Sequence, residues 1–107
     1  MKTFNKLVRD KIPEIIAQEG TAYSSRILDV AEYRQELAKK IVEEANEVLA
    51  AADDNQELIK EIGDVLEVID AIVASYQLDK AEIGRVKEER KAKRGGFEQR
   101  IFLESTD

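Results

Sequence analysis

Glu44 and Glu47, then Glu61 and Asp64, form two acid pairs with a three-residue step in a chain that contains no histidine and no cysteine. Residues three apart on an α-helix lie nearly above one another, roughly 60° apart around the axis, so each pair can direct two carboxylates at one ion. Two such helices side by side could make a cage of four carboxylates. Without imidazole or thiol there is no Ser-His-Asp arrangement, no thiol nucleophile, no disulfide scaffold and no Cys-ligated zinc site. Carboxylates must then carry whatever chemistry the chain performs, and converging carboxylates repel unless protonated or neutralised by a cation. A hard divalent ion suits that role. Magnesium, with manganese as the alternative, takes oxygen ligands in octahedral geometry and keeps waters and substrate phosphates among them.

Helices must present these acids, and the sequence is written for helices. Hydrophobic residues make up 43% and charged residues 37%, with one proline and five glycines, too few for the turns of a sandwich. Periodicity predicts a long helix from about Val30 to Ala52, carrying Leu37, Ile41, Ala45, Val48, Leu49 and Ala52. A further helix runs from about Asn55 to Tyr76, with Leu58, Ile62, Val65, Leu66, Val68, Ile69, Ile72 and Val73. Between them Asp54 can cap the second of the two, and Glu57 resembles the other half of a capping box. A connection this short implies antiparallel neighbours. Glu44 and Glu47 then fall at one border of the first apolar stripe, and Glu61 and Asp64 at the corresponding border of the second. One such pair is what chance supplies in an acid-rich helical chain; two pairs on consecutive helices at one seam are what point to a site.

The flanking elements are shorter. A first helix is expected from Asp10, its cap, through Pro13 to a stop at Gly20, followed by a loop or short extended piece over Thr21 to Leu28. A fourth should span Asp79 to Arg94 and end at Gly95-Gly96, with FEQRIFL as a short strand or a docked tail. The expected fold is all-α: an antiparallel bundle of four main helices, one domain over residues 1–107. With Ile59 added, the apolar face of the third helix covers roughly 180°, wider than the ~100° of a helix packed on one side. A second copy should cover the excess, as a homodimer or a homotetramer of dimers. Gly63 lies on that wide face near Ile59 and Leu66, which reads as close helix approach at the oligomer interface.

Charge is unevenly placed. The net charge is −6, yet between Asp29 and Asp70 thirteen acids face four bases, whereas the flanks hold ten acids and thirteen bases. The middle is suited to cations and the flanks to anions; the acidic total argues against a grip on nucleic-acid polymers. Lys87, Arg90, Lys91 and Arg94 share one face of the fourth helix, with Lys80 joining it, and are the candidate phosphate grip; the alternative is a solvated basic face paired with Glu88 and Glu89. Arg9 and Lys11 form a weaker version of that candidate phosphate grip near the amino end. Glu43 can assist a bound water or pair with Lys39 or Lys40, while Glu67 and Asp70 read as surface acids. No apolar run approaches the ~20 residues that span a bilayer, and no signal-peptide cleavage site is visible, so a cytoplasmic location is expected.

EEANE (Glu43 to Glu47) followed by EIGD (Glu61 to Asp64) resembles the E-x-x-E, spacer, E-x-x-D motif of the all-α NTP pyrophosphohydrolase superfamily, which includes MazG and phosphoribosyl-ATP pyrophosphohydrolase. The opening NKLVRDKIPEII and the closing RGGFEQRIFL are similar to a small single-domain MazG-like subgroup, so the resemblance covers nearly the whole chain. It implies a dimeric or tetrameric helical enzyme that uses magnesium to cleave the α–β phosphate bond of a nucleotide, giving a monophosphate and pyrophosphate. By motif position Glu44, Glu47, Glu61 and Asp64 would be the metal ligands. The spacer from Val48 to Lys60 is at the compact end of the pattern and leaves less structure to shape a base pocket. The chemistry read from the residues agrees, since metal-bound phosphates, a carboxylate-held water and Lys/Arg support for the leaving pyrophosphate need no histidine. Glu43, Glu44 and Glu47 are the candidates for activating that water, and spacing does not choose among them. The rival readings are a catalytically idle helical dimer that binds nucleotide or a protein partner, and, ranked below because of the chain's two ends, hydrolysis of phosphoribosyl-ATP.

Overall fold

The long apolar periodicities become two 21-residue helices in the computed structural model, which describes residues 2–107. Four α-helices and no strand form among the described residues: α1 Ile12–Gln18, α2 Val30–Ala50, α3 Asn55–Ser75 and α4 Lys80–Arg94. They fall into two compact units, Met1–Tyr76 and Gln77–Asp107.

In the first unit α2 and α3 pack as an antiparallel hairpin. Each starts on an aspartate. The Asp29 carboxylate accepts from the Glu32 N–H at 2.8 Å, and Asp54 accepts from the N–H groups of Gln56 and Glu57 at 3.0 and 3.2 Å. Glu57 does not return a bond to complete the expected capping box, because its carboxylate is drawn to Lys60 at 3.5 Å. The far end of α3 is closed by α2: Arg34 donates to the Ser75 carbonyl at 2.6 Å and to Ser75 Oγ at 3.1 Å, and lies 4.2 Å above the Tyr76 ring. A helix C-terminus leaves carbonyls without partners, and this guanidinium satisfies one of them while complementing the helix dipole.

The seam differs in rotation from the sequence expectation. Leu37 is 2% exposed and Val68 and Val73 are buried, but Ala45, Leu49 and Ala52, expected on the α2 stripe, lie exposed. In the same way Ile59, Ile62, Leu66 and Ile69 on α3 point away from α2. Gly63 lies on this outward side and has nothing within 4 Å of where a side chain would sit, so no contact within the chain explains it. Close helix contact selects a narrow strip of each stripe, and the remainder is exposed.

α1 is shorter than expected: it begins at Ile12 with Lys11 in the cap position and no side-chain cap bond, so Asp10 does not cap it. Pro13 occupies the first turn, and Gly20, at φ +78°, closes the helix: its N–H reaches the Ala17 carbonyl at 3.0 Å while Thr21 N–H reaches Ile16 at 3.2 Å. Residues 21–29 are irregular, as expected for that stretch. In the second unit, described by itself, Asp79 caps α4 through the Ala81 N–H at 2.9 Å, and Gly95 at φ +84° ends it. FEQRIFL forms no strand; Phe97, Ile101, Phe102 and Leu103 are exposed.

Candidate metal centre

Antiparallel pairing of α2 and α3 brings Glu44 opposite Glu61 and Asp64, and the three carboxylates each offer an oxygen within 4.8 Å of the others. Glu61 lies inside the seam, 8% exposed, where the periodicity of its neighbours calls for an aliphatic residue. Glu44 and Asp64 are half-buried beside it. Burying a carboxylate is costly, and a helix that places one in its packing strip while leaving isoleucines outside has been shaped by something other than stability. Glu47 stands outside the trio and is exposed, one turn nearer the hairpin loop. It lines a shallow depression of about 250 Å³ with Ala50, Ala51, Glu57 and Glu61.

Electrostatics reflect the crowding. Burial pushes the Glu44 carboxyl above its ordinary value, and Asp64, Glu43 and Glu61 add to the rise against the opposing Lys40 ammonium. Glu43 moves the other way: burial raises it, but the hydrogen bond from Lys6 and the ammonium of Lys40 outweigh that and hold it below the ordinary value. Four cations ring the cluster. Lys40 is 3.6 Å from Glu43 and 3.8 Å from Glu44, and Lys60 is 3.6 Å from Glu61. Lys6 reaches Glu43 at 3.3 Å, and Arg9 donates to Asp64 Oδ1 at 2.8 Å. Lys40 was legible as a helical neighbour of Glu43, and Lys60 as the residue before Glu61. Arg9 was legible only as a basic residue paired with Lys11, and neither it nor Lys6 could be placed beside the acids, because 55 and 37 residues separate them from their partners.

The donor set fits a hard divalent cation. Three carboxylate oxygens lie close enough to share an ion, and none of the donors is a soft or nitrogen ligand.

Lys87, Arg90, Lys91 and Arg94 line a separate groove of about 550 Å³ in the second unit, together with Gly95, Gly96, Phe97 and Glu98. Lys87 pairs with Glu88 at 3.3 Å, whereas Arg90, Lys91 and Arg94 make no ion pair among the described residues. Glu89, the other expected partner, instead takes Arg85 and Lys93. No helix among the described residues is long and apolar enough to cross a membrane.

Comparison with curated proteins and with solved structures finds no match. A family model described as phosphoribosyl-ATP pyrophosphohydrolase matches residues 1–90, which takes in both acid pairs, the hairpin that carries them and most of α4. The chain therefore belongs to the phosphoribosyl-ATP pyrophosphohydrolase family of the all-α NTP pyrophosphohydrolase superfamily, and is a hydrolase of nucleotide phosphoanhydride bonds.

Proposed function

We propose that the chain is a magnesium-dependent pyrophosphohydrolase that adds water across the α–β bond of a nucleoside triphosphate, giving a nucleoside monophosphate and pyrophosphate. The observation that carries this reading is the convergence of Glu44, Glu61 and Asp64 within 4.8 Å in a chain with no histidine or cysteine. Those three would hold the ion, with Glu47 joining through a water from its place at the edge of the depression. A bound magnesium ion would offset phosphate charge and make its water a better nucleophile. Lys6 and Lys40 hold the Glu43 carboxyl below its ordinary value, which makes it a poor base for this step. Glu47, outside the trio and facing the depression, is the proposed acceptor of the water's proton. Lys87, Arg90, Lys91 and Arg94 are proposed to meet substrate phosphates.

The depression of about 250 Å³ is smaller than the ~300–1,000 Å³ typical of small-molecule sites. Together with the open face of Ile59, Ile62, Leu66 and Ile69, this supports a homodimer or homotetramer as the working form, the whole chain acting as one domain in each subunit. A cytoplasmic enzyme acting on a nucleotide pool fits this reading. Among triphosphates, the description of the matching family favours phosphoribosyl-ATP, which carries the same α–β bond. Pyrophosphate release measured over a panel of nucleoside triphosphates and phosphoribosyl-ATP, with magnesium and with chelator, tests the proposal. Release that needs magnesium and disappears in Glu61→Gln supports it, and the best substrate names the pathway step. No magnesium-dependent release from any member of the panel overturns it.

A further inference from the structure

We propose that the amino-terminal segment supplies a phosphate grip for the acid site: Arg9 and Lys6 exchange their carboxylate partners for phosphate oxygens when the nucleotide binds. This rests on the reading of Glu44, Glu61 and Asp64 as a metal centre. Arg9 Nη2 lies 2.8 Å from Asp64 Oδ1, so it occupies a carboxylate that the ion would claim. Lys6 Nζ lies 3.3 Å from Glu43, the neighbour of Glu44 on α2. The two cations thus bracket the cluster, one on each helix of the hairpin.

Their attachment differs from that of the other two cations. Lys40 reaches Glu43 and Glu44 from within its own helix, at spacings of three and four, and Lys60 is the immediate neighbour of Glu61, so both are fixed beside the acids by α2 and α3 themselves. Arg9 and Lys6 come from residues 2–11, which adopt no regular helix or strand. Their side chains are 58% and 45% exposed. Exposed ion pairs contribute little to stability, so exchanging partners costs little. A triphosphate brings more negative charge than one divalent ion offsets, and the guanidinium fork matches phosphate geometry with two parallel donors. An Asp64 engaged by an ion releases those donors at the place where the phosphates must lie.

Calorimetric titration separates this role from a merely structural salt bridge. Magnesium alone, then inorganic pyrophosphate at saturating magnesium, is titrated into the wild type, Arg9→Gln, Arg9→Lys and Lys6→Gln. Arg26→Gln serves as control, because Arg26 makes a comparable exposed pair with Glu32 at 2.9 Å. Arg9→Gln is expected to bind magnesium at least as tightly as the wild type, having lost a competing cation, and to bind pyrophosphate about tenfold to a hundredfold more weakly. Arg9→Lys should fall between, Lys6→Gln should lose about threefold to tenfold, and Arg26→Gln should match the wild type. Pyrophosphate affinity within about twofold of wild type in both Arg9 variants and in Lys6→Gln, with magnesium still bound, overturns the proposal and leaves the metal centre standing. A wild type that takes up no magnesium overturns the metal centre and this proposal together.

Discussion

The α2–α3 hairpin and α4 are both rich in glutamate, yet they use it in opposite ways. On α4 the acids are neutralised within the helix: Arg85 bridges Glu82 at 2.6 Å and Glu89 at 2.8 Å, Lys93 reaches Glu89 at 3.3 Å, and every one of these groups is exposed. On the hairpin, Glu44, Glu61 and Asp64 are gathered from two helices into one partly buried cluster, with cations only at its edge. Spacing along one helix is therefore not what makes a site. What matters is whether the acids fall where two helices touch, because convergence there raises like-charge repulsion and desolvation together, which protonation or a bound cation relieves.

The largest effects should separate the two regions outright. Removing divalent ions with chelator should abolish pyrophosphate release, and Glu61→Gln should lower it by about a hundredfold or more, as expected for loss of a charge-stabilising group at a reaction centre. Glu82→Gln, on α4, should leave both release and the thermal midpoint at wild-type values. Equal losses in Glu61→Gln and Glu82→Gln would mean that the distinction between the regions is not functional.

Stability should be concentrated in the hairpin as well. Leu37→Ala removes its most buried apolar side chain and should cost about 2–5 kcal/mol in denaturant unfolding. Arg34→Met leaves the Ser75 carbonyl and hydroxyl without their donor and should cost about 1–3 kcal/mol. A loss smaller than that of an exposed α4 substitution would show that Arg34 does not close the end of α3.

A smaller effect concerns pH. The Glu44 carboxyl is raised in the folded chain, chiefly by burial, so its charged form is disfavoured there relative to the unfolded chain. The sign follows from linkage: such a group burdens the fold once pH has risen through the folded value and ceases to do so below the unfolded value near 4.5. In chelator, Glu44→Gln should melt above the wild type at neutral pH, and the difference should vanish as pH falls below about 4.5. With magnesium present the order should reverse, because the variant has lost a ligand. A wild type that melts above the variant in chelator at neutral pH would show that Glu44 is not under strain from its neighbours.

These contrasts also show which parts of the molecule the sequence exposes. The existence of all four helices, and the extent of α2, α3 and α4 to within two residues, follow from periodicity, Asp54 and the Gly95 stop, because those signals are local; α1 is shorter than its signals, since Asp10 does not cap it. Which strip of each helix is used is not local. A wide apolar face lets α3 rotate among several packings, and the sequence reading placed Glu61 at the border when it lies within the seam. Lys40 and Lys60 were within reach of helical arithmetic, whereas Arg9, Lys6 and the Arg34 clasp depend on chain segments 37 to 55 residues away from their partners. The capping box failed for a related reason: Glu57 had a nearer, charged partner in Lys60.

The measurement that bears most directly on the carboxylate cluster is manganese uptake followed by electron paramagnetic resonance in the wild type, Glu61→Gln, Asp64→Asn and Glu82→Gln, with magnesium as competitor. The wild type and Glu82→Gln should bind manganese alike and release it to magnesium, while Glu61→Gln and Asp64→Asn should bind it at least about tenfold more weakly. Equal uptake by the wild type and Glu61→Gln would contradict the assignment of the hairpin cluster as the metal centre.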